Sequence, residues 1–389
     1  MPSYPEIRAT RAEIDLDNLG HNLREFRRYL SPQTRIMAVV KADAYGHGAV
    51  EVSRAALEHG AQSLGVAALE EGIELRCAGI KAPILLLGYT PASQGKKLIQ
   101  YGLEATVFTW ETAAAFSGEG VAAGRPVPVH IKIDTGMGRI GVQHQDALSF
   151  IRRVSELPGL EIKGIFTHFA TADEEDKSYA YEQFRRFKEI IAACRASRIK
   201  IPLLHAANTA AAIDLPETHL DLVRLGIGLY GCYPSPLIKK EKVKLAPVLS
   251  FKTRIVYLKK VPAGSAISYG CTYHTSRESL IATVPVGYGD GYPRILSNRA
   301  EALLHGCRVP VVGRVCMDQL MLRVDEVPDV AVGDEVVLYG QQGESVVGVD
   351  EIAHLAGTIN YEVLCAVSKR VPRLYYSGGK LAAVRDFLN

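Results

Sequence analysis

The alternation of apolar and polar positions changes character once along the chain. Through about the first 230 residues, short β-branched or apolar runs alternate with longer stretches of helical period. The runs predict strands at Ile36–Val40, Leu64–Ala67, Pro83–Leu87, Glu104–Phe108, Val127–Ile133, Ile162–His168, Pro202–Ala206 and Leu222–Leu229. Between them, apolar residues recur at three- and four-residue spacing. Leu19, Leu23, Phe26 and Leu30 share one helical face, as do Ala180, Phe184, Phe187, Ile191 and Cys194. Eight strand-then-helix units in series predict an α/β fold of (β/α)8 TIM-barrel type, with an open doubly wound sheet as the alternative.

After about residue 240 the pattern becomes mainly β. VLSFKTRIVYL, SLIATVPVGYGDGY, RVPVVGRVCMDQLMLRVD and DEVVLYG are strand-like and separated by Gly- and Pro-containing turns. Helical period returns only at Asp350–Ala356 and Asn360–Ser368. The charged run and proline of LIKKEKVKLAPV mark the junction. The expected division is a barrel domain over 1–240 and a smaller, mainly β C-terminal domain over 241–389. The opening strand Glu13–Leu16 is a candidate to pair with the second domain, in which case residues 1–16 belong with it and the boundary is discontinuous.

Composition narrows the function classes. The chain has 389 residues, enough for two domains with a large core. Lys and Arg total 45 against 42 Asp and Glu, a net charge of +3. That balance offers neither a basic field for nucleic acid nor a polybasic membrane anchor, though a small anionic cofactor would need only local charge. The seven cysteines are scattered, odd in number and without a CxxC pair, which argues against a disulfide framework and against a metal site. The opening MPSYPEIRATRAEIDL lacks a signal-peptide core, and no apolar run reaches membrane-spanning length. A reducing cytoplasm is the expected location.

In such a barrel, chemistry sits at the C-terminal ends of the strands and on the loops that follow. That rule selects Lys41 in VVKADAYGHG, Lys132 and Arg139 in HIKIDTGMGRIG, His168, Asn208 and Thr209 in AANTAA, and Arg224 before LGIG. Lys41 leaves a core strand, where desolvation lowers an ammonium's pKa as a Schiff-base amine requires; alone, it reads first as a surface lysine capping a strand end, and the surrounding KADAYGHG reverses that order. The loops after strands seven and eight are the usual phosphate site, and here they supply a hydroxyl, glycines and backbone amides. GMGRIG fits the dinucleotide pattern GxGxxG, but it sits in the fifth unit, holds a central arginine and is not followed by an apolar helix face.

Taken together, the motifs VVKADAYGHG, IKIDTGMGRIG, THFATAD, HAANTAA, RLGIGLYG, ISYGCTY, VGYGDGYPR and GRVCMDQLM resemble alanine racemase, a fold-type III pyridoxal-phosphate family. The resemblance covers nearly the whole chain in the family's order. It implies a (β/α)8 barrel followed by a β domain, a head-to-tail homodimer with shared active sites, and interconversion of L- and D-alanine, supplying D-alanine for peptidoglycan. It implies that pyridoxal 5'-phosphate is held by Lys41 as an internal aldimine. Tyr45, Thr209, Gly226, Ile227 and Tyr361 would hold the phosphate, with Asn208 beside them, and His168 would pack by the ring. Arg139 would neutralise the substrate carboxylate or position the cofactor's phenolic oxygen, Met317 would offer a backbone contact to substrate, and Arg224 would face the pyridine nitrogen.

Racemisation removes a proton from one face of the α-carbon and returns one to the other, so a base on each face suffices. The resemblance assigns these to Lys41 and Tyr269, the latter in the β domain. An arginine at the pyridine nitrogen only donates, which leaves that nitrogen unprotonated, weakens the electron sink and limits transamination. Three positions depart from or extend the family pattern. Thr209 stands where Ser is frequent, Gly289 stands where Ala is common and could loosen its loop, and Lys132 resembles a lysine that carbon dioxide carboxylates in many relatives. A fold-type III decarboxylase is the rival enzyme, but neither its Glu at the pyridine nitrogen nor its EPGR-like loop is found. A non-catalytic pyridoxal-phosphate-binding protein would resemble the barrel alone.

Overall fold

The computed structural model describes residues 7–386, so the first six residues of the 1–16 segment and the last three of the chain lie outside the described residues. The chain divides into two compact units, one formed by 19–44 and 49–246, the other by 7–18, 45–48 and 247–386.

In the first unit, Arg35–Val39, Ser63–Val66, Ile84–Leu86, Glu104–Val107, Val127–Asp134, Leu160–Phe166, Leu203–His205 and Leu222–Leu225 follow one another as parallel strands. The eighth returns to the first, with Val223 opposite Ile36. Between the seventh and eighth, Asp221 N–H donates to Leu204 O at 3.1 Å and Arg224 N–H to Ala207 O at 3.0 Å. The result is a nearly closed barrel of eight parallel strands. Helices cover its outer face, so its strands are buried on both faces: along Val127–Asp134 only Pro128 is not buried, and His130, Lys132 and Asp134 are buried with their apolar neighbours. The helical faces fall as expected. Leu19, Leu23, Phe26 and Leu30 are buried along and just beyond helix Leu16–Tyr29, and Ala180, Phe184, Phe187, Ile191 and Cys194 are buried along helix Ser178–Ala196.

Most strand limits differ from expectation by a residue or more, and three of the C-terminal ends bear on the candidate residues. The eighth strand stops at Leu225 rather than Leu229, and a 3-10 turn, Ile227–Tyr230, follows Gly226. Ile227, Leu229 and Tyr230 are all buried, and an apolar run does not distinguish a buried turn from a buried strand. The sixth strand ends at Phe166, which leaves His168 two residues out on the loop. The first ends at Val39, so Lys41 belongs to the turn beyond it.

The second unit is built on an eleven-stranded, mostly antiparallel sheet. Arg11–Asp15 lies inside it, antiparallel to Leu249–Arg254 and parallel to Arg373–Ser377. VLSFKTRIVYL is two strands, Leu249–Arg254 and Tyr257–Val261. The long run from Cys307 is likewise two, Cys307–Val312 and Leu320–Arg323, joined by the loop that carries Met317. Helices Val349–Ala356 and Asn360–Cys365 interrupt the β pattern.

Candidate active site

Lys41 opens a turn of unusual hand. Ala42, Asp43, Ala44 and Tyr45 all have φ of +53°, a run of left-handed residues without a glycine among them. Each costs roughly 1–2 kcal/mol relative to the right-handed form, so the turn needs external support. Glu71 provides part of it. One carboxylate oxygen accepts Ala42 N–H at 2.6 Å, while the other accepts Ala67 N–H and Ala68 N–H at 2.7 and 3.1 Å. Asp43 accepts Ala49 N–H at 2.9 Å, and Ala44 N–H donates to Val40 O. The residue after Lys41 is thereby tied to the end of the neighbouring barrel strand.

Cations gather at this mouth of the barrel. His168 is held well below the ordinary imidazole value, first by desolvation and then by Lys132, Arg224, Arg139 and Lys41. Lys132 is buried, with its Nζ 4.6 Å from the centroid of Phe166, and its ammonium is pushed well down by desolvation, Arg224 and Arg139; only Asp134 opposes them. Arg224 is also buried. Its Nη2 donates to Thr167 O at 2.9 Å, Ala206 O at 2.8 Å and His168 Nδ1 at 3.2 Å, and its Nη1 donates to His205 Nδ1 at 3.1 Å. Burial lowers its pKa to about 9, which still leaves it cationic at neutral pH.

Two loop systems complete the barrel side. Arg139 is exposed on the loop after the fifth strand, whose turn is set by Asp134 accepting Gly136 N–H and Gly138 N–H. Helix Ser178–Ala196 clamps that loop and its neighbour. Tyr179 Oη donates to Gly136 O, Arg186 to Thr135 O, and the buried Gln183 bridges His168 O and Ala170 N–H. After the seventh strand, Asn208 caps helix Thr209–Asp214 by accepting Ala211 N–H at 3.0 Å. Thr209 Oγ1 accepts Gly226 N–H at 3.0 Å and Gly228 N–H at 3.4 Å, which fixes the spacing of the two loops. Gly228 has no room for a side chain, since a Cβ would lie 2.6 Å from Thr209 Cγ2 and 2.9 Å from the Phe26 ring.

The remaining candidates lie in the second unit. The rings of Tyr45 and Tyr361 are 6.0 Å apart, and burial pushes the Tyr45 phenol upward. Gly46 beside it, at φ +81°, gives its carbonyl to Arg373 Nε and Nη2 at 3.1 and 3.0 Å. Tyr269 lies in a tight hairpin between Ala266–Ile267 and Tyr273–His274 and is 72% exposed. Met317 is exposed, and its carbonyl accepts Gly289 N–H at 2.9 Å. The space beside Gly289 is occupied. A Cβ there would meet Arg370 Nη2 at 2.5 Å, because that guanidinium occupies the space and bridges Asp290 (2.8 Å) and Asp318 (2.7 Å).

Comparison with known proteins decides the family. The alanine racemase N-terminal domain model matches residues 14–234, and the C-terminal domain model matches residues 248–375. The chain belongs to the alanine racemase family. The alanine racemase of Halothermothrix orenii is 52% identical over 369 residues, 95% of this chain and 97% of that protein. The solved alanine racemase of Clostridium difficile superposes with a TM-score of 0.95 at 42% identity, covering 99% of this chain and 100% of the other. The Bacillus anthracis enzyme with bound L-Ala-P gives 0.92 at 38% identity, covering 99% of each chain.

Alanine racemases depend on pyridoxal 5'-phosphate, and the barrel residues suit such a group. The cations around His168 favour an anionic ligand with a phenolate. Arg224 presents only donors, which suits an unprotonated ring nitrogen. In this racemase chain, Lys41, Lys132, Arg139, His168 and Arg224 are brought into one electrostatic cluster. Tyr45 and Tyr361 are brought side by side. Sequence reasoning did not find the supporting residues Glu71, Gln183, Arg373 and Arg370. Glu71 had a signal, since a glutamate three residues into a helix commonly accepts amides at its start. The others act across tens to hundreds of positions and carry no local signature.

Proposed function

We propose that this protein racemises alanine, using Lys41 and Tyr269 as the two bases, in a homodimer whose active sites are shared between subunits. The observation that carries the reading is the convergence of Lys41, Lys132, Arg139 and Arg224 around His168 at the barrel mouth. Bound pyridoxal phosphate supplies the electron sink that makes the α-proton of alanine acidic. Lys41, Tyr45, Asn208, Thr209, Gly226, Ile227 and Tyr361 would hold it, with His168 beside the ring. The Lys41 amine moves the proton on the face that belongs to D-alanine, and the Tyr269 phenolic oxygen moves it on the L face. Arg139 orients the substrate carboxylate or the cofactor's phenolic oxygen, and Met317 offers its backbone. Carboxylation of Lys132 would turn a cation into an anion able to orient Arg139.

Arg224, which offers only donors, would face the ring nitrogen of the bound cofactor and favour its unprotonated form. The exposure of Tyr269 suits a base offered to a partner's barrel. Seven free cysteines suit a reducing cytoplasm, where D-alanine would feed peptidoglycan synthesis. Among the described residues no helix is long and apolar enough to cross a membrane.

A chiral assay of purified holoprotein against a panel of amino acids tests the reading. Interconversion of L- and D-alanine is expected, with loss of activity and of the borohydride-reducible lysine adduct in Lys41→Ala. Carbon dioxide release in place of racemisation, or an adduct on another lysine, would overturn it.

A further inference from the structure

Arg224 is a buried cation whose hydrogen-bond partners among the described residues are two carbonyls and two imidazoles, none of them anionic. A buried charge without a counter-charge is costly, and here the counter-charge stands at a distance. His205 Nε2 lies 3.0 Å from His130 Nδ1, and His130 Nε2 lies 3.1 Å from a carboxylate oxygen of Glu104. Glu104 is the first residue of its barrel strand, while Arg224 lies near the end of the eighth. We propose that Glu104 is the charge partner of Arg224 and acts on it through a one-way hydrogen-bond relay of His130 and His205.

The direction of the relay follows from donor inventory alone. A guanidinium only donates, so His205 Nδ1 must accept and its proton must sit on Nε2. That proton is donated to His130 Nδ1, which places the His130 proton on Nε2, where it is donated to Glu104. No other assignment satisfies all three contacts. The barrel is shaped around the relay. A bulge between Val129 and His130 sets His130 opposite Gly164, where a Cβ would come within 2.8 Å of His130 Nδ1. His205 stacks on Phe166 with centroids 4.7 Å apart and planes within 7°. Two further cations bear on the chain: Arg76 faces Glu104, and Lys132 lies near His205.

What the relay does rests on the proposed racemase reading; the relay itself does not. The Glu104 charge makes His205 a stronger acceptor and keeps the Arg224 protons from passing to the ring nitrogen. Its removal makes Arg224 more acidic. With pyridoxal phosphate bound, a more protonated ring nitrogen would favour transamination, in which alanine leaves as pyruvate and its nitrogen stays on the cofactor as the amine. Glu104 is thus a positioning residue that governs reaction fidelity.

Ring-nitrogen NMR of 15N-histidine-labelled holoprotein should show Nε2–H and bare Nδ1 for both His130 and His205. Finding Nδ1–H on either ring overturns the relay, whether or not the protein racemises alanine. Glu104→Gln keeps an acceptor and removes the charge, and Gly164→Ala presses on His130 Nδ1 at 2.8 Å and on Leu203 O at 2.7 Å without altering any charge. Each should raise pyruvate formed per racemisation event, by about tenfold for a one-unit fall in Arg224 pKa. A purely structural role would slow both reactions alike, so an unchanged ratio in both variants overturns the proposal. A wild-type protein with the expected tautomers but no alanine racemisation would sink the functional reading and leave the relay intact.

Discussion

His168 and His205 show what burial beside fixed cations does to a single side chain. Both are depressed well below the ordinary imidazole value, by desolvation first and by charged neighbours second. In the unfolded chain each titrates near 6.5. As pH falls through that value, the unfolded chain takes up protons that the folded rings refuse, so the stability these rings contribute is full above about 6.5 and drains away below it. The slope is ~1.4 kcal/mol per pH unit for each ring that stays neutral when folded. Urea unfolding at pH 7.5 and 5.5 should show the loss, and His205→Asn should lessen it by one ring's share. An unchanged pH slope in that variant would mean that folded His205 takes the proton after all. Lys41, Arg139, His168 and Arg224 were legible as strand-end and loop residues of a barrel. Their mutual repulsion was not, because it depends on distances across strands far apart in sequence.

At the scale of elements, the turn from Lys41 to Tyr45 is where local preference and observed structure part. Four non-glycine residues at φ +53° contradict what Ala, Asp and Tyr prefer. The motif KADAYGHG flagged the position without revealing its hand. Glu71 is the restraint whose removal should matter most, since one carboxylate holds three amides. Glu71→Ala should cost about 1–3 kcal/mol, the range for a lost charge-assisted hydrogen bond and an exposed set of unpaired donors. It should also lower the fraction of borohydride-reducible Lys41 at limiting cofactor. Wild-type stability together with wild-type adduct yield would show that Asp43 and the Val40–Ala44 bond suffice. Helix Ser178–Ala196 behaves differently. Its apolar face was readable from period alone, whereas the polar edge of Tyr179, Gln183 and Arg186 that clamps two site loops was not, since polar residues on a helix look alike until their partners are known.

At the scale of the whole molecule, the proposed homodimer leads to a complementation test. Lys41→Ala and Tyr269→Phe homodimers should each be nearly inactive, because every site lacks one base. After dissociation, equal mixing and reassociation, about half the dimers are hybrids, and a shared-site hybrid carries both lesions in one site and none in the other. Activity should return to roughly a quarter of wild type. No recovery despite demonstrated subunit exchange would place both bases in one chain and leave the racemase reading standing.

The division of labour between sequence and tertiary structure follows the range of the forces involved. Period and composition sufficed for the eight barrel strands, the two helical faces tested above and the change to β pattern, because burial on one face or both imposes a repeat that a local window detects. The motifs sufficed for the family, because they are contiguous. Only the folded chain decided that the eighth strand ends at Leu225, that Arg370 fills the space at Gly289, and that Glu104 connects through His130 and His205 to Arg224. Each of these joins residues tens of positions apart or turns on a single backbone angle. A hydrogen bond or a displaced Cβ is settled within an ångström, and the order of residues along a chain carries no record of that distance.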